Sequence, residues 1–379
     1  MDYLLSEEQK MVKEMVAKFA REEIAPYARA NEAQEIFPAE IIKKAGALGL
    51  MGIAYPAEYG GSGMDYISYM LAIEQISRYC ASTGVIISAH SSLCIDPIYR
   101  FGSEEQKQKY LPSLCKGEKI GCFALTEPGA GSDAGGLKTV AVLANDHWVL
   151  NGGKNFISNA CEADVAVVMA LTEPAQKTRG ISAFIVEKGT PGFSIGKKEH
   201  KLGIGACSNA ELIFEDCAIP KANLLGEINK GFKIAMMTLD GGRLGIASQA
   251  LGIARAAFED ACKYAKEREQ FNQPIANFQA IQWMIADMCS EYEAAWLLTY
   301  RASLLKDKGL NYSKEAAMAK LKASETASFC ANKAMQIHGG YGYTKEFDVE
   351  RYLRDAKITE IYEGTSEFMR TIIAGACLK

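Results

Sequence analysis

The sequence has 379 residues, enough for two or three domains of ordinary size, which excludes a peptide-sized scaffold. Its 42 basic and 46 acidic side chains give a formal net charge of −4, so no net positive field attracts a nucleic acid, and we expect no nucleic-acid partner. The composition, 49% hydrophobic and 23% charged, is typical of a folded globular protein.

The longest segment without Asp, Glu, Lys or Arg, residues 79–95, is too short and too rich in Ser, His and Gly to predict a membrane helix. We therefore expect no membrane association. The first ten residues, MDYLLSEEQK, have the pattern of neither a signal peptide nor a transit peptide. This predicts a cytoplasmic protein.

The eleven cysteines are scattered singly without a CxxC pair, and the four histidines are equally dispersed. Neither spacing is typical of a zinc site or of a disulfide framework, so we predict no metal. We expect most thiols to be buried, small apolar groups in a reducing compartment.

The first third of the chain carries helical periodicity. Ser6 and Gln9 form a capping-box pattern, and apolar residues then recur at helical spacing until Pro26. Similar spacing returns over residues 39–48, 67–79 and 104–114. The pattern predicts an all-helical N-terminal domain over residues 1–120.

The pattern then changes to short β-branched runs at residues 139–143, 148–151, 165–171, 181–186 and 212–214. These runs predict a middle antiparallel β domain over residues 121–228. No helical pattern separates them, and no GxGxxG motif or P-loop is present, which argues against a doubly wound nucleotide-binding fold.

Helical spacing resumes from about Gly231, with long amphipathic runs over residues 246–267, 278–306 and 313–336. It predicts a C-terminal helical bundle domain over residues 229–379. The fold class is therefore α+β and mainly α, in the order helices, strands, helices.

The segment over residues 123–133, FALTEPGAGSD, is too polar and too rich in glycine for a core element. Its glycines allow a close approach of the backbone, and the Thr126 and Ser132 hydroxyls suit a flat, hydrogen-bonding, phosphate-bearing ligand. A tight turn between domains is the alternative.

In residues 151–159, Phe156 and Ser158 lie two positions apart, so an extended chain directs both to one side. That pairing suits a flavin edge, although a hairpin gives the same pattern.

Arg268 begins a break between two helical runs, where its guanidinium is able to clamp a pyrophosphate; a surface arginine in a loop is the alternative. Residues 336–343, QIHGGYGY, form a glycine turn that suits either an adenosine or a simple chain reversal.

Glu363, in IYEGTSE, lies near the end of an apolar stretch. A partly desolvated carboxylate there has the raised pKa of a general base, whereas a solvated glutamate at a helix end is the alternative.

The motifs ALTEPGAGSD, NGGKNFISN, LDGGR, REQF, QIHGGYGY and IYEGTSE occur in this order between about residues 120 and 370. As a set they resemble the acyl-CoA dehydrogenase family, most closely its short-chain, butyryl-CoA type. The resemblance implies a helical domain, a β domain and a four-helix bundle, assembled as a homotetramer. It also implies bound FAD, an acyl-CoA substrate and reoxidation by an electron-transfer flavoprotein.

The resemblance assigns roles to individual positions. Around the flavin it places Phe123, Leu125, Thr126, Ser132, Phe156 and Ser158. At the pyrophosphate and adenosine, partly across a subunit interface, it places Arg268, Phe271, Gln279, Gln336, Gly339 and Gly340, while Thr365 and Glu367 also approach FAD. The CoA part is held by Ser132, Leu239, Asp240 and Arg243, and the acyl pocket is lined by Ala89, Leu93, Gln249 and Thr359, with Tyr362 and Gly364 beside the base.

The implied reaction removes an α-proton of the thioester by Glu363 and the β-hydrogen as a hydride to the flavin, which gives a trans-2-enoyl-CoA. The enolate oxygen requires donors, and the resemblance names the Glu363 backbone N–H and a flavin ribityl hydroxyl. Gln249 and Thr359 resemble residues that shorten the acyl pocket, which favours a C4 acyl group. The reaction is reversible, so the chain also suits an enoyl-CoA reductase.

Several positions depart from the butyryl type. Asp96 stands near the expected pocket in place of a neutral residue. If its carboxylate faces inward, a branched, alicyclic or aromatic-pathway acyl-CoA is favoured; a helix-end Asp before Pro97 is the alternative. Gly205 stands where Arg is common, Asn272 replaces a frequent Gly, and Ser158 keeps the hydroxyl of the usual Thr. Two further hypotheses are an oxidase that reduces O₂ and a non-catalytic flavoprotein, against which Glu363 and the hydroxyls of the flavin loop argue.

Overall fold

The computed structural model describes residues 2–378. Its first part is built from seven α-helices joined by short turns. They are α1 (Glu7–Phe19), α2 (Ala25–Gln34), α3 (Ala39–Ala47), α4 (Tyr66–Tyr79), α5 (Ala81–Ser88), α6 (Asp96–Phe101) and α7 (Glu104–Cys115), with π-helical segments at Ala20–Ile24 and Ala89–Ile95.

Local sequence explains how these helices begin. The Ser6 hydroxyl accepts a hydrogen bond from the Gln9 N–H at 3.2 Å while the Gln9 side chain accepts one from the Ser6 N–H, so the predicted capping box is confirmed. Ser103 and Gln106 form a second capping box at the start of α7. Helix α1 buries Val16 and packs on α4, which is buried along most of its length.

Residues 80–95 form a buried helical segment that the sequence pattern did not predict. Every residue of α5 and of the π-helical segment Ala89–Ile95 is buried. A helix that is covered on all sides has no polar stripe, so the 3.6-residue periodicity is absent. This segment carries Ala89 and Leu93 to the centre of the molecule.

The middle part is one eight-stranded sheet in the order β6-β7-β3-β2-β4-β5-β8, with β1 paired to β4. Most neighbours are antiparallel, as predicted, but β1 pairs with β4 in parallel over four residue pairs, and β2 meets the end of β4 in parallel. The strands are β1 (Gly121–Ala124), β2 (Val140–Ala144), β3 (His147–Ser158), β4 (Val165–Leu171), β5 (Ile181–Glu187), β6 (Phe193–Lys198), β7 (Asn209–Pro220) and β8 (Leu224–Leu225).

The last part contains three long helices and two short ones. They are α8 (Gly231–Glu267), α9 (Gln279–Asp307), α10 (Ser313–His338), α11 (Val349–Thr359) and α12 (Ser366–Cys377), with a small hairpin of β9 (Glu269–Gln270) and β10 (Gln273–Pro274) between α8 and α9. Helices α8, α9 and α10 pack on one another, and α8 also packs on α4. Helix α8 therefore joins the two helical parts into one core.

All eleven cysteines are free, and seven of them are buried; Cys289 and Cys377 are exposed, unlike the rest. Within residues 2–378, no group of His, Cys, Asp and Glu has the arrangement of a metal site. None of the helices in the same range is long and apolar enough to cross a membrane.

Candidate active site

Two glycine-rich motifs that are distant in sequence lie side by side. The Asn155 N–H donates to the Thr126 carbonyl at 2.8 Å, and the Lys154 ammonium donates to the Leu125 carbonyl at 3.2 Å. These bonds join the loop after β1 to the end of β3. The structure thus brings together the two segments that the sequence associated with a flavin.

A buried ion pair, which the sequence reasoning missed, anchors this loop. Glu127 accepts hydrogen bonds from the Lys154 ammonium at 2.7 Å and from the backbone N–H groups of Lys138 and Thr139 at 2.6 and 3.0 Å. Burial lowers the pKa of Lys154 to about 8, while the neighbouring Glu127 carboxylate opposes that shift. The sequence offered one sign of this pair: Glu127 is a charged residue inside a loop made mostly of small residues and glycines.

Strand β3 is irregular where it meets the candidate flavin position. Its pairing with β7 shifts register between Lys154 and Ile157, and Phe156 has a left-handed backbone with φ of 58°. Ile157 is buried, Ser158 is partly exposed, and 59% of Phe156 is exposed. A bulge rather than a regular extended strand therefore carries these residues, so the strand alternation that predicted a shared side does not hold here.

The hydroxyl groups near this loop are free to bind a ligand. Thr126 and Ser158 are partly exposed and Ser132 is exposed, and no hydrogen bond within residues 2–378 uses any of the three hydroxyls. Phe123 and Leu125 are buried in a cluster that also contains Ala89 and Leu93. This donor set, with an exposed aromatic ring beside it, fits a flat ligand that accepts hydrogen bonds at its edge.

A second set of predicted residues lies on an open surface. Arg268 ends α8, and its guanidinium lies 5.6 Å from the Tyr341 ring centroid, which brings the REQF and QIHGGYGY motifs together. The side chains of this set are exposed, and the glycines have open space where a Cβ would be; its members are Arg268, Phe271, Gln279, Gln336, Gly339 and Gly340. No hydrogen bond or ring contact among the described residues joins this set to the β3 loop.

Glu363 lies in the turn between α11 and α12. Its backbone is left-handed with φ of 53°, and Gly364 follows with φ of 107°. Burial raises the pKa of the Glu363 carboxyl to about 7, against the opposing charges of Lys320 and Arg243. Its Oε2 atom is shielded from solvent and has no hydrogen-bond partner among the described residues. A carboxylate poised near neutral pH with a free oxygen has the properties of a general base.

The Glu363 backbone N–H is also unengaged by any acceptor in the described part of the chain. A donor and a base within one residue allow the same residue to remove a proton and to stabilise the negative charge that forms beside it.

Gly242 provides the space that Glu363 occupies, and sequence reasoning missed it. A Cβ at this position would lie 2.1 Å from Glu363 Oε2 and 2.6 Å from Leu93 Cδ2. Glu363, Leu93 and Gly242 are therefore in direct contact. The available signal was the paired glycine in LDGGR, inside a helix, where glycine is unfavourable without a packing reason.

Three of the four predicted CoA residues lie in the first half of α8, and the fourth, Ser132, lies in the loop after β1. Asp240 forms an ion pair with Arg243, whose side chain is 5% exposed, and accepts a hydrogen bond from the Ser313 hydroxyl at 3.0 Å. The Nε atom of Arg243 is buried without a partner among the described residues. Leu239 is partly buried in the same apolar cluster as Phe123.

Polar contacts close the other end of the candidate acyl pocket. The Tyr362 hydroxyl donates to Gln249 Oε1, and Gln249 Nε2 donates to the Ala81 carbonyl at 2.8 Å. Thr359 is fully buried, and its hydroxyl donates to the Ala356 carbonyl. Thr365 caps α12 through its hydroxyl, and Glu367 in the first turn is exposed.

Asp96 is buried and is not a free carboxylate. One oxygen lies 3.4 Å from the Lys306 ammonium and the other 3.3 Å from Arg100. It follows the π-helical segment Ala89–Ile95 without a break, so it lies inside a helical run and not at the free helix end that the alternative assumed. Its charge is matched by two cations, which removes the specific reason to expect a polar acyl group.

Three family models match the chain in sequence order. The N-terminal, middle and C-terminal domains of acyl-CoA dehydrogenases match residues 6–118, 122–217 and 229–378. The short-chain specific acyl-CoA dehydrogenase of Clostridium acetobutylicum is 54% identical over 375 residues, which is 99% of each chain.

Solved structures with a similar fold lead to the same family. The butyryl-CoA dehydrogenase of Megasphaera elsdenii is 46% identical with a TM-score of 0.98, and both chains are covered completely. A chain from a study of the electron transferring flavoprotein of Acidaminococcus fermentans and flavin-based electron bifurcation is 52% identical with a TM-score of 0.99, again over the full length of both. The chain belongs to the acyl-CoA dehydrogenase family.

Proposed function

We propose that this enzyme catalyses the FAD-dependent α,β-dehydrogenation of a short-chain acyl-CoA to the trans-2-enoyl-CoA and passes the electrons to an electron-transfer flavoprotein. The observation that carries the proposal is the shielded Glu363 carboxylate, whose pKa is raised to about 7 and whose oxygen has no protein partner within residues 2–378. The high identity to a short-chain specific enzyme supports the substrate class.

In this mechanism the chain acts through proton transfer, positioning and exclusion of water. Glu363 takes the α-proton, and its own backbone N–H donates to the thioester oxygen as negative charge develops there. Leu93 and Gly242 fix the base from one side. Gln249 and Thr359 resemble residues that shorten the acyl pocket, which favours a C4 acyl group, and the Tyr362–Gln249 hydrogen bond holds Gln249 in place.

We assign the flavin edge to Thr126, Ser132, Phe156 and Ser158. The unengaged hydroxyls and the exposed ring fit the group, and FAD supplies, when bound, an acceptor for the hydride that leaves the β-carbon. The pyrophosphate and adenosine are assigned to Arg268, Phe271, Gln279, Gln336, Gly339 and Gly340, with Thr365 and Glu367 beside the flavin.

We assign the CoA part to Ser132, Leu239, Asp240 and Arg243. The buried, partnerless Nε of Arg243 supports this role, because a ligand acceptor satisfies it. The acyl pocket is assigned to Ala89, Leu93, Gln249, Thr359, Tyr362 and Gly364.

The enzyme assembles as a homotetramer in this proposal. Helix α9 buries only six of its 29 residues within the chain and exposes Trp283 and Leu297 at 64% and 44%. The open Arg268 surface also requires a further wall to enclose a ligand. A cytoplasmic location is proposed because eleven free thiols suit a reducing compartment.

The test is product analysis with an electron-transfer flavoprotein as acceptor. Butyryl-CoA is expected to give crotonyl-CoA in step with reduction of that acceptor, with little H₂O₂ in air. Rapid H₂O₂ formation without the acceptor would instead identify an oxidase. Turnover of only a branched or ring-bearing thioester would retain the mechanism and overturn the short-chain substrate.

A further inference from the structure

A buried lysine supports the turn that carries the base. Lys320, in the first half of α10, has no exposed surface, and its ammonium group donates to the Gly364 carbonyl at 2.6 Å. Other bonds hold the ends of the turn: the Ser366 N–H donates to the Glu360 carbonyl at 2.9 Å, and the Tyr362 hydroxyl donates to Gln249 Oε1. The Lys320 bond is the one that reaches the Gly364 carbonyl among the described residues. The Lys320 bond therefore acts on the Gly364–Thr365 peptide unit, one unit beyond the peptide that follows Glu363.

The backbone conformation of Glu363 and Gly364, just before that peptide unit, is costly. Glu363 is a non-glycine residue with φ of 53°, and such backbone persists only where surrounding contacts determine it, at a cost of about 1–3 kcal/mol. Gly364 adopts a φ of 107° without strain because it has no Cβ. The same freedom means that Gly364 does not hold the turn in one conformation. A charged donor to the Gly364 carbonyl supplies the missing constraint.

The same lysine lies in the electrostatic field of the base. Burial lowers the pKa of Lys320 to about 8, and the carboxylates of Glu363, Glu360 and Glu367 oppose this shift while Arg243 adds to it. In return, the Lys320 and Arg243 charges hold the pKa of Glu363 below the value that burial alone would give. An uncompensated buried ammonium group is unfavourable, so this lysine requires a partner.

We propose that Lys320 is a positioning residue for the reaction: through the Gly364 carbonyl it locks the left-handed turn of Glu363, and through its charge it favours the ionised form of the base. The inference rests on the proposed function, because it assigns a reaction to Glu363.

The test compares holoenzymes by the pH dependence of flavin reduction by butyryl-CoA under anaerobic conditions. Loss of the charge in Lys320→Met is expected to move the midpoint for the base upward by about one pH unit and to lower the rate near neutral pH about tenfold. Lys320→Arg is expected to stay near the wild-type midpoint. The control is Lys322→Met on the same helix, which removes a partly exposed lysine paired with Glu291 and is expected to change neither value.

An infrared titration of Glu363 provides a readout that needs no turnover. The carboxyl band that is absent in Glu363→Gln is expected to titrate at higher pH in Lys320→Met than in the wild type. If the Met variant does not fold, Lys320→Gln removes the charge and retains a polar donor for the same comparison. Equal midpoints in the wild type and the charge-free variant would overturn the role of Lys320. Absence of flavin reduction in the wild type at every pH would instead overturn the proposed function, and the infrared titration would still decide the role of the lysine.

Discussion

The position of the Glu363 carboxylate depends on the absence of a side chain at Gly242. Its carboxylate contacts Gly242, and the smallest side chain added there would overlap both Glu363 and Leu93. A displacement of about 1 Å at a reacting group costs roughly 100-fold in rate.

Gly242→Ala is therefore expected to lower the rate of flavin reduction by about 100-fold. Alanine favours a helix over glycine, so the thermal midpoint is expected to change little. Gly375→Ala is the control, because an added Cβ in α12 meets no atom within 4 Å. Stopped-flow spectroscopy of both variants measures the effect, and a Gly242→Ala enzyme as fast as Gly375→Ala would contradict the contact.

Two departures from the family pattern have a backbone explanation. A Cβ on Gly205 would lie 2.6 Å from the Glu32 carbonyl oxygen, so a side chain there requires the loop or α2 to move. Asn272 has φ of 59°, a left-handed conformation that asparagine tolerates better than most residues, so it retains the role of the usual glycine.

Sequence identified Glu363 from its motif, but Gly242 and Lys320 depend on contacts between separate elements. The sequence alone does not show which residue of another element a given glycine or lysine contacts. For the same reason, the pairing of Asp96 with Lys306 was hidden until α6 and α9 were placed together, whereas Arg100 lies one turn after Asp96 on α6 itself.

At the scale of elements, the Glu127–Lys154 pair holds the loop after β1 against β3. Breaking a buried pair by removing one charge leaves the other uncompensated, at a cost of about 3 kcal/mol. Glu127→Gln is expected to lower the free energy of unfolding by about this amount and to weaken FAD binding about tenfold, a cost typical of a disrupted hydrogen-bonded loop.

Flavin fluorescence on dilution and thermal unfolding of the apoprotein measure these two effects. Glu58→Gln, at an exposed position on a different turn, is the control. Unchanged FAD retention in Glu127→Gln would show that the loop holds its conformation without the pair.

Long amphipathic helices were predictable at this scale, because one face meets solvent. Helices α9 and α10 show this and appear close to their predicted positions. Helix α4 also does, although it is buried along most of its length, and α8 extends from the predicted run at 246–267 back to Gly231. The fully buried residues 80–95 and the parallel pairing of β1 with β4 were not predictable, since burial on all sides removes periodicity and pairing partners are set by tertiary contacts.

Across the whole molecule, His90 links the helices to the sheet. Its Nδ1 accepts from the Gly121 N–H at the start of β1, and its Nε2 contacts the Leu114 carbonyl of α7, both at 2.9 Å. Burial lowers the pKa of His90 to about 4 from the model-compound value of 6.5. The domain boundaries at residues 120 and 228 stay a prediction, because contacts of this kind cross the first of them.

The buried neutral His90 makes the folded protein less stable at acid pH. Below pH 6.5 the unfolded chain binds a proton that folded His90 does not bind until about pH 4. Stability present above pH 6.5 is thus lost as the pH falls towards 4, by about 2 kcal/mol at pH 5.

His90→Gln is expected to lose less stability than the wild type between pH 7 and pH 5, whereas the exposed His147→Gln is expected to behave as the wild type. Thermal midpoints at the two pH values make the comparison. A drop in His90→Gln equal to that of the wild type would contradict a neutral buried histidine.

The central claim is that Glu363 starts the dehydrogenation of an acyl-CoA. The most direct test is anaerobic bleaching of the flavin absorbance by a panel of acyl-CoAs, in the wild type and in Glu363→Gln. Fast bleaching by butyryl-CoA in the wild type, and its loss in a variant that still binds FAD, is the expected result. No bleaching of the wild type by any thioester, or equal bleaching of both proteins, would contradict the claim.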